Sequence, residues 1–189
     1  WLPIPIVHGM TLGELALMVN GEGWLPGSRK CDLAVIKCKN YTHQTRYQLP
    51  IPPSPNLPNM KSIYLYPSTC FFEATPVSLG RGTSLPFQVY GHPNMTGYNY
   101  SFTPRSIPGA KNPPQLNKLC HGVDLSNMSD EEIWKRGVDL TYVIDAYRNL
   151  NLDDHFFRPF FELLVGRDYV RKMIKEGKSA DDIKAMWKG

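Results

Sequence analysis

The stretch from Asn40 to Gly91 most constrains what this chain can fold into, because prolines, glycines, aromatics and isolated charges interrupt it throughout. Buried helices and strands usually show a hydrophobic repeat of about 3.6 or two residues, and this stretch shows little of either. Proline fixes its own φ and lacks a backbone donor, so the stretch favours turns and short elements. Most of the 17 prolines precede residue 115. We therefore expect short strands and long loops there, with binding side chains held on rigid loops.

The composition is that of a globular protein with a modest charge. A chain of 189 residues is long enough to bury a core, and its 42% hydrophobic content argues against disorder. The net charge is only +4, and the basic residues of the C-terminal third are interspersed with acidic ones. A solvated helix face explains that pattern better than a nucleic-acid surface, so we predict no nucleic-acid binding. No apolar run is long enough to cross a bilayer.

The periodic segments predict an α+β fold with a short-stranded mixed sheet, long loops and a helical C-terminal tail. Thr11 and Glu14 have the spacing of a capping box at the start of a helix. Strands are predicted at residues 32–39, 62–66, 87–90, 98–103 and 123–125. One amphipathic helix is predicted from Ser129 to Tyr147, followed by two short helices at 168–175 and 179–187. We interpret the chain as a single domain, 1–189, with a strand and loop part at 1–125 and a helical part at 126–189.

The four cysteines do not have the spacing of a metal site. Cys31, Cys38, Cys70 and Cys120 contain no Cys-x-x-Cys pair, and no His-x-x-x-His spacing occurs either. We therefore predict no metal and no cofactor. Cys31 and Cys38 flank the apolar part of the predicted strand 32–39 and are expected to be buried thiols, with a disulfide as an open alternative.

Several motifs occur in one order along the chain. They are Ile6-Val7-His8-Gly9-Met10-Thr11-Leu12-Gly13-Glu14-Leu15, Pro53-Ser54-Pro55-Asn56, Tyr66-Pro67, Glu73-Ala74-Thr75, Ser78-Leu79-Gly80-Arg81-Gly82-Thr83 with Pro86-Phe87, and Phe102-Thr103-Pro104. Together they resemble the C-terminal part of the NamZ-type exo-β-N-acetylmuramidases, which are bacterial glycoside hydrolases. The chain departs from that family at Ala74, where the family commonly has glycine.

The resemblance implies a role in cell-wall breakdown. Such proteins remove terminal N-acetylmuramic acid from peptidoglycan fragments, in a cleft between an N-terminal Rossmann-like domain and the region seen here. We therefore expect a cleft-forming domain, with the N-terminal domain and the main catalytic acid upstream of Trp1, and no activity without them. The expected partners are muramic acid-containing saccharides and that N-terminal domain. The resemblance also implies an exported, periplasmic protein, and a non-catalytic saccharide-binding or scaffolding module is the alternative function.

The candidate site residues follow from this chemistry. Glycoside hydrolysis needs an acid, and Glu73 is the candidate in this chain because the apolar Phe71 and Phe72 beside it would raise its pKa. The alternative is that Glu73 forms an ion pair with Arg81 or Arg46 and only braces the loops. Arginines are suited to the lactyl carboxylate of muramic acid, because a guanidinium holds a carboxylate with two hydrogen bonds. The candidate substrate-binding residues are Asn40, Tyr41, His43, Arg46, Tyr66, Glu73, Arg81, Thr103 and Arg105.

Overall fold

The structure is a computed structural model that describes Leu2 and residues 4–187. The chain forms two compact units, Trp1–Gln48 and Leu49–Gly189. The predicted division near residue 125 stays a prediction. In the described part of the chain, no helix has the length and apolar character needed to span a membrane.

The first unit is built around one helix. Helix α1 (Leu12–Gly21) begins at the predicted capping box, in which the Thr11 hydroxyl accepts from the Glu14 backbone N–H and the Glu14 carboxylate accepts from the Thr11 N–H. A short 3₁₀ turn (Pro26–Ser28) leads into an extended segment. Asn20 fixes the start of that segment, because its side chain exchanges two hydrogen bonds with the Cys31 backbone, at 2.8 and 2.9 Å.

The prediction of a buried strand at residues 32–39 was wrong for this structure. The segment carries no strand pairing within the described part of the chain, and all of it is exposed, including Ile36 at 94%. Cys31 and Cys38 are likewise exposed free thiols rather than buried ones. The physical reason is that a strand is stabilised by hydrogen bonds to a neighbour, which the periodicity of one segment cannot supply.

The second unit holds the sheet and the other helices. The strands are β1 (Val89–His92), β2 (Tyr100–Phe102) and β3 (Cys120–Asp124), in the order β1-β3-β2. The described helices are α2 (Met60–Thr69), α3 (Asp130–Arg136), α4 (Thr141–Leu150), α5 (Phe160–Val165), α6 (Tyr169–Lys175) and α7 (Ala180–Ala185), with 3₁₀ helices at Cys70–Ala74 and Asp153–His155. The predicted α+β class is confirmed. Both strand pairings are antiparallel, where the sequence analysis expected a mixed sheet.

Two predicted elements of the second unit were wrong. The predicted strand 62–66 lies inside α2, because Asn59 and Ser62 form a capping box that starts a helix there. The single helix predicted from Ser129 to Tyr147 is two helices, since Gly137 adopts φ 60° and ψ −136° between α3 and α4. The two short C-terminal helices correspond to α6 and α7.

The core of the second unit is rich in aromatic rings. Phe72, on the 3₁₀ helix after α2, stacks on Tyr90 of β1 with ring centroids 4.8 Å apart. Phe156, Phe157 and Phe161 form a second group of rings under α5. Rings of this size bury enough apolar surface to hold short elements together. The 3₁₀ helix Cys70–Ala74 is thereby fixed between the sheet and the C-terminal helices.

Candidate functional site

Glu73 is the one residue of its 3₁₀ helix that is not buried. Cys70, Phe71, Phe72 and Ala74 all face the core, and only Glu73 is partly exposed. The sequence determines this local arrangement, because four apolar side chains around one carboxylate leave that carboxylate at the surface of the core. Glu73 is thereby held on a rigid element, half in water and half against apolar groups.

The environment of Glu73 opposes its ionisation. Burial raises the pKa of Glu73 above its ordinary value of 4.5, and the Arg81 guanidinium opposes this rise without cancelling it. Among the described residues, no ion pair within 4.0 Å joins Glu73 to Arg81. A raised pKa is what an apolar setting predicts for Glu73. The alternative, in which a close Glu73–Arg81 ion pair braces the loops, is not formed in the structure.

Arg81 lies at the tip of a tightly closed loop. The Phe87 backbone N–H donates to the Leu79 carbonyl at 2.8 Å, and Ser78 and Gly91 exchange two backbone hydrogen bonds below it. The residues on either side of Arg81 have positive φ angles, 79° at Gly80 and 83° at Gly82. A Cβ atom at Gly82 would lie 2.3 Å from the Arg105 carbonyl oxygen, so only glycine fits there.

Arg81 and Arg105 lie on adjacent backbone segments. The Arg105 N–H donates to the Gly82 carbonyl at 2.8 Å, and the Arg105 guanidinium donates to the Asn117 side chain at 3.1 Å. The Arg81 Nε atom is buried without a hydrogen-bond partner within the described part of the chain. Thr103 directly follows β2 on the chain segment that leads to Arg105. The structure therefore brings the backbone of Arg105 next to the loop that carries Arg81 in the second unit.

Tyr66 completes the group of predicted residues near Glu73. Burial raises its pKa first, and the nearby Glu73 and Cys70 raise it further. The Tyr66 ring lies 5.1 Å from the ring of Phe87, at an interplanar angle of 48°. Phe87 belongs to the Pro86-Phe87 motif but is not among the predicted site residues. No periodic signal could have found it, because the contact joins two separate segments.

The other four predicted residues lie in the first unit. His43 Nε2 lies 2.8 Å from the Glu14 carboxylate, so Glu14 is a neighbour that sequence reasoning had assigned only to a helix cap. This contact lowers the pKa of Glu14 to about 2 and raises the pKa of His43. Asn40 adopts a left-handed φ of 56°, as expected of a turn residue, and Tyr41 is exposed. Arg46 lies in the same loop.

Four of the nine candidate residues lie in the first unit and five in the second. Tyr66, Glu73 and Arg81 interact within the second unit, with Arg105 at the Arg81 loop and Thr103 two residues before it. Asn40, Tyr41, His43 and Arg46 share one loop of the first unit. Across residues 4–187, no group of three or more His, Cys, Asp or Glu side chains could hold a metal ion. The five candidate residues of the second unit supply one carboxyl group, two guanidinium groups, one phenol and one hydroxyl group.

Comparison with known proteins identifies the family. Residues 64–189 match the model of the C-terminal domain of exo-β-N-acetylmuramidase NamZ. Residues 1–61 match the model of its N-terminal domain. The chain belongs to the NamZ family. The division near residue 62 places the motifs Ile6–Leu15 and Pro53–Asn56 in the N-terminal NamZ model, although the sequence analysis compared them with the C-terminal part.

Individual NamZ relatives agree with this assignment. The chain is 35% identical to the peptidoglycan β-N-acetylmuramidase NamZ of Bacillus subtilis (strain 168), over 96% of the chain and 47% of the relative. It is 84% identical to a DUF1343 family protein of Bacteroides fragilis NCTC 9343 whose crystal structure is known, with a TM-score of 0.94 over 99% of the chain and 53% of that protein. A second such crystal structure from that organism matches at 25% identity, with a TM-score of 0.69 over 96% of the chain and 52% of that protein. The chain thus spans about half the length of these relatives.

Proposed function

We propose that this chain is the cleft-forming part of an exo-acting glycosidase that removes terminal N-acetylmuramic acid from peptidoglycan fragments. The proposal is supported by membership of the NamZ family and by the name of the B. subtilis relative. The observation that carries it is the pairing of Glu73 and Arg81. The half-buried Glu73 carboxyl group has a raised pKa and interacts electrostatically with Arg81 without an ion pair within 4.0 Å, and we propose that both groups bind the ligand.

In this proposal Arg81 and Arg105 bind the lactyl carboxylate of muramic acid. That carboxylate distinguishes muramic acid from N-acetylglucosamine, and a guanidinium is the side chain best matched to it in charge and geometry. The glycine-flanked loop holds Arg81 in place before the ligand binds, which reduces the entropy lost on binding. Glu73 binds the sugar as a hydrogen-bonding partner, and the principal catalytic acid lies in the N-terminal domain.

We further infer that the first unit completes that N-terminal domain. Residues 1–61 match the N-terminal NamZ model, and none of the described residues of the first unit is buried. Residues 33–36 are apolar on both faces of an extended segment, and within the described part of the chain no backbone hydrogen bond involves residues 32–38. Apolar residues on both faces are typical of a central strand in a parallel sheet. The segment is suited to pair with further strands of a complete N-terminal NamZ domain.

The site of action that fits this substrate is outside the cytoplasm, and we propose an exported, periplasmic protein. Cell fractionation with an antibody against the chain tests the location. A signal confined to the cytoplasmic fraction would contradict it.

The function is tested by release of N-acetylmuramic acid from a nitrophenyl N-acetylmuramide. The 189-residue chain and a longer protein with a complete N-terminal NamZ domain are assayed in parallel. We expect hydrolysis by the longer protein alone. Hydrolysis by the short chain would make Glu73 the catalytic acid. No hydrolysis by either protein would contradict the proposal and favour a non-catalytic saccharide-binding module.

The role of Arg81 is tested with two substrates. In the longer protein, Arg81→Met is expected to raise the KM for the muramide about tenfold to hundredfold, because a hydrogen bond to a charged group contributes about 1.5–3 kcal/mol. The corresponding N-acetylglucosaminide lacks the lactyl carboxylate, so its weaker hydrolysis is expected to change little. Arg167→Met removes an exposed arginine as the matched control. Equal effects of Arg81→Met on both substrates would contradict carboxylate recognition.

A further inference from the structure

Phe87 has a backbone conformation that bulky residues rarely adopt. Its φ angle is +59°, and its side chain is 3% exposed. In this left-handed region the Cβ atom crowds the backbone, so glycine and asparagine are the usual residues. A buried phenylalanine there is kept only where the surroundings determine its position.

Hydrogen bonds on both sides hold Phe87 in this conformation. Its N–H donates to the Leu79 carbonyl at 2.8 Å, and its carbonyl accepts from the Thr69 hydroxyl at 3.4 Å. Thr69 lies three residues after Tyr66 on α2, so both side chains lie on the same side of that helix. Phe87 is thus tied by its backbone to Thr69 and by its ring to Tyr66.

Two further departures from ordinary packing lie in the same loop. The Arg81 Nε atom and the Gln88 Nε2 atom are buried and lack hydrogen-bond partners within the described part of the chain. Gln88 is itself 2% exposed. Buried polar groups are nearly always hydrogen-bonded, and unpaired ones together with a strained backbone tend to occur at functional sites. These departures occur in the loop that carries Arg81 and contacts Tyr66.

Tyr66 is the side chain that this arrangement fixes. One side of its ring meets Phe87, its hydroxyl group lies in the electrostatic field of Glu73, and 36% of the residue is exposed. A partly exposed aromatic ring beside a carboxyl group is suited to the apolar face of a sugar ring, with the carboxyl group binding a sugar hydroxyl.

We propose that Phe87 is a positioning residue that holds the Tyr66 ring as the saccharide-stacking surface beside Glu73, in a role that rests on the proposed function. Phe87 itself does not touch the saccharide. Its strained backbone places its ring behind Tyr66, so Tyr66 presents one fixed face to the ligand. Pre-organising Tyr66 in this way strengthens saccharide binding without adding a contact.

The first test follows the Tyr66 ring without any substrate. Phe87→Leu removes the aromatic ring and keeps an apolar side chain, and Phe87→Tyr retains the ring. Phe156→Leu makes the same change at a buried ring that contacts Tyr147 and Phe157 instead. NMR titration of the 189-residue chain measures the pKa of Tyr66. We expect Phe87→Leu alone to lower this pKa toward 10.0, because opening the site admits water to the phenol.

The second test measures binding of the N-acetylmuramyl–N-acetylglucosamine disaccharide to the longer NamZ protein. Phe87→Leu is expected to raise the Kd about threefold to tenfold, as for loss of one aromatic contact. Phe87→Tyr keeps the ring and is expected to have a Kd close to that of the wild-type protein. On a Tyr66→Ala background, Phe87→Leu is expected to add nothing, because both changes remove the same surface. A Kd unchanged by Phe87→Leu, or additive effects of the two changes, would overturn the positioning role.

Hydrolysis of the muramide by the same variants separates this inference from the proposed function. If the wild-type protein hydrolyses the muramide while Tyr66→Ala binds the disaccharide normally, the proposed function stands and the positioning role fails. If the wild-type protein does not hydrolyse the muramide, the positioning role of Phe87 is decided by the NMR shift that the disaccharide induces at Tyr66. A shift that Phe87→Leu abolishes supports the positioning role, and no shift in the wild-type protein overturns it.

Discussion

At the scale of single residues, the carboxyl group of Glu73 is less acidic than an ordinary glutamate. Because its folded pKa lies above 4.5, the folded state keeps a proton that the unfolded state has lost, and stability falls as pH rises from 4.5 through the folded pKa. Glu73→Gln is therefore expected to make the protein more stable at neutral pH and to flatten this part of the pH profile. Urea unfolding at several pH values measures both effects. Glu176→Gln, at an exposed position, is the control, and a Glu73 pKa at or below 4.5 by NMR would contradict the prediction.

The Glu14–His43 contact stabilises the charged forms of both side chains, whereas the surroundings of Glu73 disfavour its charged form. Glu14 raises the pKa of His43 above 6.5, and the contact lowers the pKa of Glu14 from 4.5 to about 2. The contribution of Glu14 to folding stability is present above pH 4.5 and is lost as pH falls toward 2. The contribution of His43 is present below pH 6.5 and is lost as pH rises through the pKa of His43 in the folded state. NMR titration of Glu14→Gln is expected to show the His43 pKa returning toward 6.5. Glu22→Gln changes another carboxyl group of the same unit and should leave His43 as it was; an equal shift in both variants would argue against the contact.

At the scale of secondary-structure elements, the ring cluster under α5 determines how firmly the C-terminal helices are held. Phe161 is 0% exposed and contacts Phe71 and Phe157, whereas the adjacent Phe160 is 48% exposed. Phe161→Ala is expected to lower the free energy of unfolding by about 3–5 kcal/mol, because it removes a buried ring and leaves a cavity. Phe160→Ala is expected to change it by at most about 0.5 kcal/mol. Urea denaturation measures the free energy of unfolding of both variants. Similar losses of stability in Phe161→Ala and Phe160→Ala would contradict the packing described for Phe161.

The elements that the sequence predicts well are those with local signals. The Thr11 capping box of α1 and the helix after Gly177, which starts at a Ser179–Asp182 capping box, follow from side chains that act on their own backbone. The strand predicted at residues 62–66 is a helix, because the Asn59–Ser62 capping box starts a helix just before it. The apolar run at 32–39 shows the limit of local signals, since its pattern describes a strand but not the neighbours with which it would pair.

The same limit applies to the candidate site. Glu73 and its raised pKa follow from the apolar residues beside it in sequence. Phe87 and Glu14 were not predicted as neighbours of Tyr66 and His43, because those contacts join segments 21 and 29 residues apart. Local composition therefore predicts which side chains have unusual chemistry, and the tertiary fold decides which of them meet.

At the scale of the whole molecule, the two units differ in how much of them is buried. None of the described residues of Trp1–Gln48 is buried, whereas Val143 and Ile144 of the second unit are almost fully enclosed. Amide hydrogens exchange slowly only where hydrogen bonds and burial protect them. We therefore expect the amides of residues 33–38 in the 189-residue chain to exchange nearly as fast as in an unfolded peptide, and those of Val143 and Ile144 at the rate of global unfolding.

A longer protein with a complete N-terminal NamZ domain is expected to slow exchange at residues 33–38 by more than about a hundredfold, because strand pairing would engage backbone groups that have no backbone partner among the described residues. Hydrogen–deuterium exchange with mass spectrometry measures both proteins side by side, with the amides of Val143 and Ile144 as the internal control. Slow exchange at 33–38 in the 189-residue chain would show that the segment is already protected without further strands. Fast exchange in both proteins would contradict its proposed place in the N-terminal sheet, and muramide hydrolysis by the longer protein would then have to be explained without that pairing.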